Sequence, residues 1–200
     1  MKLYLASGNA HKVQEFQALA DASSLAIEIV SAKSVGGMPM VIEDAGTFIG
    51  NATKKARALK AILPADAWVL ADDSGLCVDA LDGAPGVESA YYAGPQGDSA
   101  ANLAKLVRTM RDVPSEKRTA HFICVLVLID GEGQERVFEG RCDGHLLSEP
   151  RGGTGFGYDP LFVPDGQEKS LAEIDEALKN QLSHRGRAWK CYTRWRSVCS

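Results

Sequence analysis

The stretch Val69-Leu70-Ala71-Asp72-Asp73-Ser74-Gly75-Leu76 constrains this chain more than any other. An apolar run, Trp68 to Ala71, has the pattern of a buried strand, and two adjacent carboxylates end it before a small Ser-Gly turn. Neighbouring side chains on a strand point to opposite faces, so Asp72 and Asp73 cannot both meet one ligand in regular geometry. One carboxylate is expected to anchor the turn. The other is expected to project into a cleft at the strand's end, where α/β sheets bind ligands and where a carboxylate suits a hard metal or an activated water. A solvated Asp-Ser-Gly turn accounts for the same letters without any chemistry.

Two hundred residues, 45% hydrophobic and 24% charged, can bury one full core, as a single domain over 1–200 or as two lobes sharing a sheet. A net charge of -4 gives no general pull toward nucleic acid, so a bound anion needs a local cationic site. The five cysteines (Cys77, Cys124, Cys142, Cys191, Cys199) are odd in number, scattered and without metal spacing, which fits reduced thiols in a cytoplasmic protein. The longest apolar run, Phe122 to Ile129, suits a strand and is too short for a membrane span. Met1 to Ala6 meets a Gly-Asn turn too early for a signal peptide.

Leu3 to Ala6 reads as a strand, followed by Ser7-Gly8-Asn9-Ala10-His11-Lys12 and a helix with Val13, Phe16, Leu19 and Ala20 at helical spacing. Strand, glycine loop and helix N-terminus form an anion-binding arrangement, to which Lys12 adds full charge. The loop lacks the second glycine and the Gly-Lys-Ser/Thr ending of a Walker loop, and a plain strand–helix connection explains it equally. Ala26 to Val30 reads as a second strand. Phe48, Ala52, Ala56, Leu59 and Ile62 stripe a helix ending before Pro64, with Asn51 and Lys55 on one face. A solvated basic face accounts for most of Lys54, Lys55, Arg57 and Lys60. Glu43 and Asp44 ahead of this helix either serve its dipole or supply a second metal carboxylate.

Leu76 to Leu81 alternates like a strand, Gly83-Ala84-Pro85-Gly86 is a turn, Ser89 to Gly97 a loop and Ser99 to Met110 a helix. Thr119 to Asp130 and Glu135 to Cys142 read as an antiparallel hairpin that extends the sheet away from the first lobe. In Arg151 to Pro160, four glycines flank Phe156, Tyr158 and Asp159. Phe156 is either a stacking surface for a nucleobase or a plug beneath a mobile loop. Lys179, Ser183, His184, Arg185 and Arg187 cluster around the start of a last helix, Ser183 to Trp195, with Ser183 as N-cap. Positive charge opposes the dipole there, a conflict that favours an anionic or hydrogen-bonding ligand.

Together these stretches resemble the inosine triphosphate pyrophosphatase family, which hydrolyses deaminated purine nucleoside triphosphates. The matching pieces are Ser7 to Lys12, Asn51-Ala52 with Lys55-Ala56, Ala71 to Leu76, Gly83 to Gly86, Gly155 to Pro160, and Ser183-His184-Arg185-Gly186. They keep the family's order and span almost the whole chain. The resemblance implies that Ser7, Gly8, Asn9, Ala10, His11 and Lys12 hold the triphosphate, with Lys55 as a further phosphate contact. It makes Asp73 the general base and a metal ligand, Glu43 the second metal carboxylate, and Ser74 a substrate contact. Phe156, Gly157, Tyr158 and Asp159 become the base pocket, with Phe156 stacked on the purine; Lys179, His184 and Arg185 complete the substrate residues.

Two features depart from the family pattern. Ser89-Ala90-Tyr91-Tyr92 stands where the family has Ser-Ala-Arg-Tyr, and the Glu43–Thr47 segment is one residue short, leaving Asp44 as the alternative to Glu43. Hard oxygen ligands without a Cys/His set imply Mg²⁺. The expected fold is α/β: a long mixed sheet with flanking helices, and two lobes around a central nucleotide-binding cleft. The resemblance also implies a homodimer acting on ITP, dITP and XTP; net charge and the short apolar runs point to neither nucleic acid nor a membrane as partner. A nucleotide sensor without turnover, or a pyrophosphatase for another modified nucleotide, is the alternative.

Overall fold

The structure, a computed structural model, describes residues 1–23 and 25–198; Cys199 lies outside the described residues. In chain order the main elements are β1 (Lys2–Leu5), α1 (Ala10–Asp21), β2 (Glu28–Ser31), α2 (Phe48–Lys60), β3 (Trp68–Val78) and α3 (Ser99–Thr109). There follow β4 (Thr119–Ile129), β5 (Glu135–Leu146), β6 (Phe162–Pro164), α4 (Glu176–Leu182) and α5 (His184–Val198). Among the described residues, six strands form one sheet in the order β2-β1-β3-β4-β5-β6. It is mixed, as expected: β1 runs parallel to β2 and β3, whereas β5 and β6 are antiparallel.

The chain divides into two compact units. The first comprises Met1–Asp73, Cys124–Glu139 and the chain from Ala188 onward. Parallel neighbours need a crossover, and α1 supplies it between β1 and β2. The helix presents Phe16, Leu19 and Ala20 to a core of Leu3, Leu5, Leu70, Leu126 and Leu128, closed by Trp189 and Tyr192 of α5. Each such leucine, fully buried, contributes about 2 kcal/mol of burial free energy.

The second unit comprises Ser74–Ile123 and Gly140–Arg187. Leu76 and Val78 of β3, Leu106 and Met110 near the end of α3, and Phe122, Leu146 and Phe162 form its core. The buried Arg118 guanidinium donates to the carbonyls of Met110, Val113 and Leu147, satisfying backbone acceptors just beyond α3 and β5 that would otherwise lose water without replacement.

The structure corrects the sequence reading in two places. No turn follows Asp73: β3 continues through Ser74 and Gly75 to Val78. Its polar middle is where the strand passes from the first core, with Leu70, to the second, with Leu76. The β4–β5 hairpin does not lie wholly beyond the first unit: its tip, Cys124–Glu139, belongs to that unit and places Leu126, Leu128 and Phe138 in its core, while its base, with Phe122 and Leu146, belongs to the second. The expected last helix is present as α5, with Ser183 ahead of it, and a further short helix, α4, precedes it. No helix among the described residues is long and apolar enough to cross a membrane.

Candidate active site

In the first unit, β1 ends at Leu5 and α1 begins at Ala10, leaving Ser7, Gly8 and Asn9 as the loop between them. Asn9 is the N-cap: its Oδ1 accepts from His11 N at 2.9 Å and Lys12 N at 3.4 Å, while Ser7 Oγ accepts from Asn9 N. Two helix-terminal N–H groups expected to be open to an anion are therefore capped by the loop itself. Gly8, Asn9, Ala10 and His11 are exposed. Lys12 turns inward, its Nζ 2.5 Å from Asp72 Oδ1, and Cys124 Sγ donates to Asp72 Oδ2 at 3.7 Å. Asp72 thus anchors no turn but pairs with a cation. Its pairing with Lys12, 60 positions away, has no local sequence signal.

Asp73, one residue on, takes a different cation, as strand alternation requires. Lys55 Nζ donates to Asp73 Oδ1 at 2.7 Å and to Glu43 Oε2 at 2.9 Å. Lys55 lies with Asn51 on the buried face of α2, and Asn51 Oδ1 accepts from Ala45 N, tying the preceding loop to the helix. Asp44 pairs instead with Lys54, at an exposed site. Of the two acidic residues ahead of α2, Glu43 is therefore the one that shares a cation with Asp73. Arg57 pairs with Glu135 and Lys60 bonds backbone carbonyls, so neither joins this group.

Burial pushes the Asp73 carboxyl up to about 6, against the pull of Lys55 and Lys12. Burial would depress Lys55, but Asp73 and Glu43 together outweigh it and its pKa is raised. The two partners shift in the same direction for a structural reason. Lys55 meets two carboxylates, whereas Asp73 Oδ2 is buried and accepts no hydrogen bond from the described residues. An oxygen left bare in this way is costly unless something else uses it. Among the described residues no three His, Cys, Asp or Glu side chains converge to cage a metal. Mg²⁺ needs no such cage, since one or two carboxylates, waters and substrate phosphates suffice. The unused Asp73 oxygen with Glu43 beside it fits that donor set.

In the second unit a different constellation forms. Asp159, buried, accepts from Lys179 Nζ at 2.8 Å and from Phe156 N at 3.1 Å, so its carboxylate pins the glycine loop. The half-buried Phe156 ring has the Lys179 ammonium and the Arg185 guanidinium each 5.6 Å from its centroid. Arg185 also donates to Ser74 Oγ at 2.8 Å. Tyr158 is buried and donates to Ser89 O at 2.8 Å, and its burial pushes its hydroxyl pKa up. Gly157 (φ +63°) supplies the left-handed turn between Phe156 and Tyr158.

The expected basic cluster is real only in part. Ser183 caps α5 through Gly186 N, as its sequence position implies. His184 stacks on Phe122 (4.6 Å between centroids, 10° between planes), and Arg187 donates to Arg141 O on β5. Lys179 and Arg185 are the two that converge on Phe156. Tyr91 is 47% exposed, and Ser89 beside it is a buried hub: its hydroxyl accepts from Leu76 N, and its carbonyl accepts from Tyr158 and Asn102.

The Ham1 family matches residues 3–195 of the chain. A dITP/XTP pyrophosphatase of Opitutus terrae is 62% identical over 199 residues, covering 98% of both chains. One of Leuconostoc mesenteroides is 44% identical over 188 residues, 94% of this chain and 92% of that one. Among solved structures, the Staphylococcus aureus Ham1 protein superposes with a TM-score of 0.85 at 30% identity, covering both chains fully. A nucleoside-triphosphatase / dITP/XTP pyrophosphatase of Mycobacterium abscessus does so with 0.74 at 41% identity, over 96% of this chain and 98% of that one.

Proposed function

Because the chain belongs to the Ham1 family, we propose that it hydrolyses the deaminated purine nucleoside triphosphates ITP, dITP and XTP to a nucleoside monophosphate and pyrophosphate. The observation that carries the reading is the Lys55 ammonium between Glu43 and Asp73, with one buried Asp73 oxygen unused. A pure binder gains little from carboxylates beside phosphates; a hydrolase needs one to take a proton from water. Lys12 and Lys55 neutralise triphosphate charge that would repel the attacking oxygen. Bound at Glu43 and Asp73, Mg²⁺ would supply further neutralisation and an acidified water. Asp73 orients the attacking water and accepts its proton.

The base end is assigned to the second unit. Phe156 offers a stacking face, and Arg185, beside it, is a donor suited to the 6-keto oxygen of hypoxanthine and xanthine. Adenine presents an amino group at that position, leaving two donors facing each other at a cost of ~1–3 kcal/mol per unmatched group. Pyrophosphate release from ITP, dITP, XTP, GTP and ATP, each with Mg²⁺ and with EDTA, tests the reading. Release is expected from the first three with Mg²⁺, with kcat/KM above that for ATP by roughly 100-fold or more. Orthophosphate as the product, or equal rates with ATP, would overturn it.

The raised Asp73 pKa gives a pH prediction with a defined sign. Acidity protonates the base, so kcat/KM should fall below a limb near about 6. The fold favours protonated Asp73, so this group's stabilising contribution is complete below the ordinary carboxylate pKa and is lost as pH rises through about 6. Lowering the pH from roughly 7 to roughly 5 therefore removes the base without weakening the fold through Asp73. Circular dichroism should stay native across the range in which kcat/KM declines. Parallel loss of both signals would attribute the acid limb to unfolding.

A further inference from the structure

We infer that Lys55 holds the place of a divalent cation in the resting chain, and that the chain consequently takes its metal together with the triphosphate. The inference rests on the proposed assignment of Glu43 and Asp73 to metal binding.

Lys55 Nζ lies 2.7 Å from Asp73 and 2.9 Å from Glu43, so its charge is shared by the two carboxylates that a divalent ion would use. Its side chain is only 11% exposed, so solvent offers little to replace those partners. An ammonium left there beside a dication would be repelled at short range in a poorly screened site. Lys55 then needs a new anion, and the phosphate chain is the one proposed for this site. Metal alone must therefore bind against Lys55. Metal and triphosphate arriving together satisfy the carboxylates with the ion and Lys55 with a phosphate oxygen.

The neighbouring pair sharpens the argument. Lys12 is engaged by Asp72, whose side chain is fully buried and receives the Cys124 thiol on its other oxygen. Lys12 acts on Asp73 only from a distance, so the direct pairing of Glu43 and Asp73 depends on Lys55.

The test is Mn²⁺ binding to the nucleotide-free protein, followed by electron paramagnetic resonance of free Mn²⁺. Wild type is compared with Lys55→Met and Lys55→Gln, which shorten the side chain by one atom and remove its charge. Both variants should bind Mn²⁺ at least tenfold more tightly than wild type, and added Mn²⁺ should raise their melting temperatures more than that of wild type. Equal or weaker Mn²⁺ binding by a folded variant would overturn the inference. If both variants are unfolded without metal, Mn²⁺ must restore their circular dichroism; failure to do so also overturns it. The proposed function is judged separately by wild-type pyrophosphate release, so a hydrolase whose Lys55 variants bind Mn²⁺ no better refutes only the exchange.

Discussion

Asp73→Asn is expected to lower pyrophosphate release from ITP by roughly 10³-fold while leaving nucleotide binding measurable. Asparagine keeps the size and one carbonyl oxygen of the side chain, so the β3 backbone and the buried volume are unchanged. It cannot accept a proton from water at neutral pH. It also removes the negative charge that, with Glu43, would hold the cation, and this second loss compounds the first. Lys55 keeps Glu43 as a partner at 2.9 Å, which limits the cost to the fold. Phe156, Lys179 and Arg185 lie in the other compact unit and keep their contacts, so the base end should still bind. Single-turnover release and equilibrium binding of ITP, measured on the same preparation, separate the two effects. Turnover within tenfold of wild type would remove Asp73 from the role of base. Loss of binding together with turnover would make it a structural residue.

Features governed by short-range patterning were legible in the sequence. The stripe Phe48, Ala52, Ala56, Leu59 placed α2 close to its observed Phe48–Lys60, with Thr47 as its cap. It also put Asn51 and Lys55 on one face, which the structure buries. Alternation along β3 separated Asp72 from Asp73, and the two do take different lysines. The reading failed where two different physical origins write the same letters. Asp-Asp-Ser-Gly looks like a turn because these residues favour turns, yet here they cross from one core to the other inside a strand that apolar residues secure on both sides. α4 has only seven residues, and Asp175 caps it through Leu178 N; so short a helix shows no periodicity to read. The Asp72–Lys12 pair and the Tyr158–Ser89 bond join residues 60 and 69 positions apart, so no local window contains them. The capping of His11 and Lys12 N–H groups by Asn9 was local and readable, since Asn is a preferred N-cap.

Gly186→Ala is expected to destabilise the protein by ~3 kcal/mol, lowering the melting temperature by roughly 6–12 °C, although alanine is the better helix former. Gly186 lies in the first turn of α5, where α4 has just ended at Leu182. A Cβ there would run into the Asn180 carbonyl, lying 2.8 Å from its carbon, and would sit 3.3 Å from Ser183 Oγ. The obstruction is backbone, which no rotamer change can clear. The helix-propensity gain from glycine to alanine is about 1 kcal/mol and cannot offset a collision of this kind. Relief requires α5 to move away from the end of α4, and those two helices carry Arg185 and Lys179 to the Phe156 ring. Ser183 would lose its bond to Gly186 N in the same movement. A folded Gly186→Ala protein should accordingly show a higher KM for ITP than wild type, with a smaller change in kcat, because Asp73, Glu43 and Lys55 belong to the other unit. Thermal melting followed by steady-state kinetics below the lowered transition reads both parts. An unchanged melting temperature would mean that the α4–α5 junction can widen without cost. A fall in kcat at constant KM would mean that the junction serves the hydrolytic residues instead of the base end.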